Sequence, residues 1–123
     1  TVNESILLVE DDGSLLEMAS QLLRSLGYTV HEAGDGPAAF ELLQSGIPID
    51  LLLTDVVLPK GINGPDIATY AQNMNSNIKV LFMSGYNEHP MLNDGGPDKP
   101  FALINKPFRK AQLAREIRDA LHK

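Results

Sequence analysis

"SILLVEDD", residues 5–12, places a short apolar run directly before three consecutive carboxylates. Ser5 to Val9 is too short and too unbroken to be an amphipathic helix, so it reads as a buried strand. A strand that is apolar on both faces belongs in a parallel sheet with helices covering each side. The same pattern recurs along the chain. "DLLLT", residues 50–54, is followed by Asp55, "KVLFM", residues 79–83, by Ser84, and "ALIN", residues 102–105, by Lys106. "TVHEA", residues 29–33, alternates and predicts one further strand.

Helical signals fill the intervals. Asp12 to Ser14 offers caps for a helix whose apolar face carries Leu15, Ala19, Leu22, Leu23 and Leu26, and Gly27 ends it. Pro37 sits near the first turn of a second helix running to about Gln44. Pro65 is expected to open a third that reaches about Asn73. A last helix within residues 109–123 sets Leu113, Ile117, Ala120 and Leu121 on one face. "NEHPMLNDGGPDKP", residues 87–100, holds three prolines and two glycines, so the helix between the fourth and fifth strands should be short or irregular. Alternating strands and helices imply right-handed crossovers and an α/β, doubly wound, five-stranded parallel sheet. Ligands of such sheets bind beyond the carboxyl ends of the strands, at a topological switch point.

Composition narrows the function. The 123 residues suit a single domain spanning 1–123, and 43% hydrophobic content suits a packed core rather than a disordered chain. With no cysteine there is neither a disulfide nor a thiolate metal site. No stretch reaches the ~20 apolar residues of a membrane span, and no signal segment opens the chain, so no membrane contact and a cytoplasmic location are expected. A net charge of −6 without a Lys/Arg cluster argues against direct nucleic-acid binding. Asn3-Glu4-Ser5 matches a glycosylation sequon, which at that location is read as chance. Nothing in the sequence chooses between a monomer and a dimer.

The strand ends hold the chemistry. Glu10, Asp11, Asp12 and Asp55 fall at one edge of the sheet, with the Ser84 hydroxyl and the Lys106 ammonium. Clustered carboxylates repel unless a cation shares their site. An all-oxygen donor set without His or Cys selects a hard divalent ion, most plainly Mg²⁺. Asp55 then has the chemistry of a nucleophile that carries a phosphoryl group as an acyl phosphate. The metal, Ser84 and Lys106 would neutralise its peripheral oxygens. Gly85 lets the backbone turn close to that group.

At "LLVEDD", "DLLLTDVVLPKGINGPD", "LFMSGY" and "INKPF" the sequence resembles the receiver domain of two-component response regulators, over Ile6 to Leu121. The pattern is closest to receivers of hybrid sensor histidine kinases or to single-domain regulators. The resemblance implies strand order 2-1-3-4-5 and phosphotransfer from a histidine kinase or histidine phosphotransfer domain. It implies that Asp55 is the phosphoacceptor. Mg²⁺ would be bound by Asp11, Asp55 and the Val57 backbone carbonyl, with Glu10 acting through a metal-bound water. It makes Ser84 the switch hydroxyl and Lys106 the partner of acceptor and phosphate, with a bond to Pro107 that is usually cis. Asp12 is then a helix cap rather than a ligand. "KPF" occurs twice, and only Lys106 follows a strand and lies 22 residues beyond Ser84, so Lys99 is read as a loop lysine. The resemblance departs at Leu103, where many receivers carry a switch aromatic; Tyr86 is the candidate substitute.

Each residue has a plainer reading. Asp11 or Asp12 alone suits a helix cap, Asp55 a turn, and Lys106 an ordinary surface lysine. The combination at the strand ends outweighs these. His31, His89 and His122 show no ligand spacing and are assigned no role. Met18, Met74, Met83 and Met91 read as packing residues, and Phe108 as an anchor for the last helix. A phosphohydrolase of the haloacid dehalogenase type needs an acid two residues after its nucleophile, where this chain has Val57. A flavin domain needs a first loop free of carboxylates, and "EDDG" is the opposite. A receiver that has lost phosphorylation would have lost one of these residues, and all are present.

Overall fold

The computed structural model describes residues 4–85 and 102–122. Five strands form one parallel sheet: β1 (Ser5–Val9), β2 (Thr29–Ala33), β3 (Leu51–Asp55), β4 (Lys79–Ser84) and β5 (Ala102–Asn105). Their spatial order is β2-β1-β3-β4-β5, as the resemblance implied. Four helices are seen among the described residues: α1 (Gly13–Ser25), α2 (Gly36–Gln44), α3 (Gly64–Met74) and α4 (Lys110–Leu121). The expected irregular helix within 87–100, with Tyr86, His89, Met91 and Lys99, lies outside the described residues.

The two-residue period of a strand divides the core. In β1, Leu7 and Val9 face the layer of Ala39, Leu43, Ile67 and Ala71 from α2 and α3. Ile6 and Leu8 face Ala19 and Leu23 of α1 and Leu113 and Ile117 of α4. Leu51, Leu52 and Leu53 of β3 divide likewise and are wholly buried, so truncating Leu52 to alanine should cost about 2–5 kcal/mol. Phe108 packs against the α1/α4 side, as expected. Met83 is fully buried, whereas Met74, the last residue of α3, is 51% exposed at the helix end and is not a packing residue.

The helix starts follow their caps. The Asp12 carboxylate accepts from the Ser14 and Leu15 amides, and that of Asp35 accepts from Ala38 before Pro37 continues α2. Gly27 follows α1 with φ 101°, a conformation that favours glycine. Strand limits move by a residue from expectation. Asp50 falls just outside β3, where its carboxylate accepts from the Ser5 amide at 2.7 Å, while Asp55 and Ser84 extend their strands.

Register places the strand ends together. Val9 pairs with Thr54 across β1 and β3, so the next residues, Glu10 and Asp55, come level. Asp55 pairs with Met83, and Ser84 with Asn105, which brings Ser84 and Lys106 to the same edge. The chain leaves β1 toward β2 on one side and returns as β3 on the other, so β1/β3 is the switch point.

Candidate functional site

At the carboxyl ends of β1 and β3, Glu10 and Asp55 are buried, 1% and 2% exposed, and Asp11 beside them is exposed. One carboxylate oxygen from each of the three lies within 4.8 Å of the others. Lys106 reaches over this cluster from the end of β5. Its Nζ stands 2.9 Å from Glu10 Oε1 and ion-pairs with Asp55 Oδ1. The backbone aims these groups. The Lys106 amide donates to the Ser84 carbonyl at 2.8 Å, and the Asp12 amide donates to Glu10 Oε2 at 3.0 Å. The Lys106–Pro107 peptide is cis, as the resemblance implied.

The charges do not balance. Burial, reinforced by the neighbouring Glu10 carboxylate and opposed by Lys106, pushes the Asp55 carboxyl up to about 9. Burial also opposes ionisation of Glu10. The Asp55 carboxyl, the Asp12 amide and Lys106 together outweigh it and hold Glu10 below its ordinary value. Burial likewise works against the Lys106 ammonium, but its two carboxylate partners prevail and raise it. The physical reading is one proton held on Asp55 between two buried carboxyls, with Glu10 as the anion. Asp55 Oδ1 is fully buried and, beyond its ion pair with Lys106, accepts no well-formed hydrogen bond. A buried oxygen so placed, beside an exposed third carboxylate, fits a small divalent cation taking the place of the proton.

The other expected residues are placed as follows. Ser84 is fully buried at the end of β4, and its hydroxyl donates to the Gly85 carbonyl at 3.0 Å. Val57 is 41% exposed two residues beyond Asp55. Asp12 is a cap, as expected. His31 lies in β2 and His122 caps α4, both outside the cluster. Leu103, at the switch-aromatic position, is half-buried against the core.

Two features escaped the sequence reading. Gly64, the first residue of α3, lies so close to β3 that a Cβ there would collide with the Asp55 carbonyl oxygen. Its signal is the Asn-Gly-Pro run that opens the helix. The second is an ion pair of 2.8 Å between Lys60 and Asp35, tying the β3–α3 loop to the start of α2.

The model of the response regulator receiver domain matches residues 6–118, and the chain belongs to that family. It is 35% identical over 120 residues to sensor kinase CckA of Brucella abortus, covering 97% of this chain and 13% of that protein. It is 32% identical over 116 residues to the response regulator receiver protein CpdR of the same organism, covering 94% and 95% of the two. A response regulator receiver protein from Sinorhizobium medicae superposes with a TM-score of 0.87 at 29% identity, covering 98% and 95%. The chain is thus a receiver domain of two-component phosphorelay signalling, a family that accepts a phosphoryl group on an aspartate. Among the described residues no helix is long and apolar enough to cross a membrane.

Proposed function

We propose that Asp55 is the phosphoacceptor of this receiver and that the whole chain, 1–123, is one receiver domain. The observation that carries the assignment is the burial of Asp55 at the switch point, ion-paired with Lys106 and next to two further carboxylates. The donor is a phosphohistidine on a histidine kinase or phosphotransfer domain. The phosphorus–nitrogen bond breaks and an oxygen of Asp55 bonds to phosphorus. The electron pair stays with the imidazole, which takes up a proton from solvent.

Asp11, Asp55 and the Val57 carbonyl would hold Mg²⁺, with Glu10 reaching it through a bound water. The ion supplies positive charge that offsets the phosphoryl oxygens during transfer. Lys106 moves from the acceptor carboxylate to a phosphoryl oxygen, neutralising charge where it develops. Ser84 gives up its bond to the Gly85 carbonyl and donates to another phosphoryl oxygen. That movement, with the new charge at Asp55, biases the domain toward the state its partners bind. The chain's own chemistry is limited to this transfer and a slow self-dephosphorylation. Any kinase activity would belong to a larger protein that carried this domain.

Beryllofluoride with Mg²⁺ tests the assignment in ¹⁵N-labelled protein. The amides of Asp55, Ser84 and Lys106 should shift in the wild type and stay put in Asp55→Asn. Equal shifts in both proteins, or none in either, would overturn it.

A further inference from the structure

The loop from Val56 to Asn63 engages its backbone groups selectively. The Val56 carbonyl accepts from the Gly64 amide at 2.8 Å. The Leu58 amide donates to Asn63 Oδ1 at 3.0 Å. Between them, the Val57 carbonyl accepts no hydrogen bond from any described residue. Among those residues the Lys106–Pro107 peptide alone is cis, so the Val57–Leu58 peptide is trans. In a trans peptide the N–H and the C=O point in opposite directions from one rigid plane. Holding the Leu58 N–H on Asn63 therefore also holds the direction of the Val57 carbonyl.

The rest of the loop brings Asn63 to that position. Lys60 and Gly61 have positive φ of 67° and 77°, which turns the chain back after Pro59. The Lys60–Asp35 ion pair fixes the turn to α2. The Asn63 backbone amide is itself held, donating to Asp66 Oδ2 at 2.9 Å at the start of α3. The acceptor of the Leu58 amide is thus secured from both sides along the chain.

We propose that Asn63 is a positioning residue for divalent-cation binding, presetting the Val57 carbonyl as a ligand by accepting the Leu58 amide on its side chain. The inference rests on the reading of the Val57 carbonyl as a metal ligand given above. It assigns Asn63 no contact with the ion and no part in bond making.

Calorimetric titration of unphosphorylated protein with Mg²⁺ alone tests it. Asn63→Ala should weaken Mg²⁺ binding about tenfold, as loss of a residue that orients a ligand typically does. Asn63→Asp keeps an oxygen acceptor for the Leu58 amide and should restore most of the affinity. Asp66→Ala removes only the bond that holds the Asn63 backbone amide and leaves the Asn63 side-chain acceptor in place, so it should lower thermal stability and weaken Mg²⁺ binding clearly less than Asn63→Ala does. If the alanine variant does not fold, Asn63→Gly reads the same quantity, since glycine is tolerated before a helix. Asp11→Asn separates the two ideas. Loss of Mg²⁺ binding there, with wild-type affinity in the folded Asn63 variant, overturns the inference and leaves the site reading standing. Unchanged binding in Asp11→Asn overturns the site reading itself. Equal weakening by Asp66→Ala and Asn63→Ala would reduce Asn63 to a helix cap and also overturn the inference.

Discussion

Two polar clusters are built into this fold from nearly the same parts, and they are wired differently. Beside β2, the Ser20 hydroxyl donates to Glu32 at 2.5 Å. Arg24 stands 3.3 Å from the same carboxylate and donates to the Val30 carbonyl at 3.1 Å. One carboxylate there meets one cation and one hydroxyl. At the ends of β1 and β3, two buried carboxylates share the Lys106 ammonium with a third, Asp11, exposed beside them, and the Ser84 hydroxyl is turned onto the Gly85 carbonyl. The first cluster is complete within the protein. The second leaves a buried oxygen without a well-formed hydrogen bond and one carboxyl pushed far up. A fold that balances charge in one place and leaves it unbalanced in another marks where an outside ligand belongs.

Cutting each cluster at its cation should separate them most. Lys106→Met leaves two buried carboxyls uncompensated and should cost on the order of 3 kcal/mol in Mg²⁺-free buffer at neutral pH. Arg24 is half-exposed, and Arg24→Met should cost at most about 1 kcal/mol. Chemical denaturation of both variants checks the contrast, and equal losses would break it.

Titration sharpens it next. In the metal-free fold the Asp55 carboxyl sits at about 9, while in the unfolded chain it ionises near its ordinary value. The folded state therefore holds the extra proton between those values. This group's contribution is fully present below the unfolded value and is lost as pH rises through about 9. Melting temperature should fall across that window, and saturating Mg²⁺ should flatten the fall, because the ion replaces the proton. Asp55→Asn should also flatten it and stabilise the metal-free protein at pH 8 by on the order of 1–3 kcal/mol.

The smallest expected effect is kinetic. Val57 flanks the site and offers no group to orient an attacking water. The phosphorylated domain should lose its label with a half-life nearer hours than seconds, and Val57→Asn should shorten it by roughly tenfold. Loss within seconds in the wild type would contradict this.

Much of this was legible in the sequence, for identifiable reasons. Runs such as Ile6–Val9 and Leu51–Leu53 announce a two-sided parallel sheet because both strand faces must be apolar. Glu10, Asp11, Asp55, Ser84 and Lys106 stood out because each ends such a run. What stayed hidden depends on contacts between elements. Ser20 on α1 meets Glu32 on β2 only once the helix packs, and neither residue type alone announces the pairing. Asn63 reads as a helix cap in any sequence, and its bond to the Leu58 amide depends on Lys60 adopting a left-handed conformation that lysine seldom takes. The clash that forbids a side chain at Gly64 is set by how α3 lies on β3.

The most direct test of the central assignment is intact-mass spectrometry after incubation with Mg²⁺ and acetyl phosphate, comparing wild type with Asp55→Asn. A single phosphoryl adduct on the wild type and none on the variant is the predicted result. An adduct on both proteins, or none on folded wild type, would contradict it.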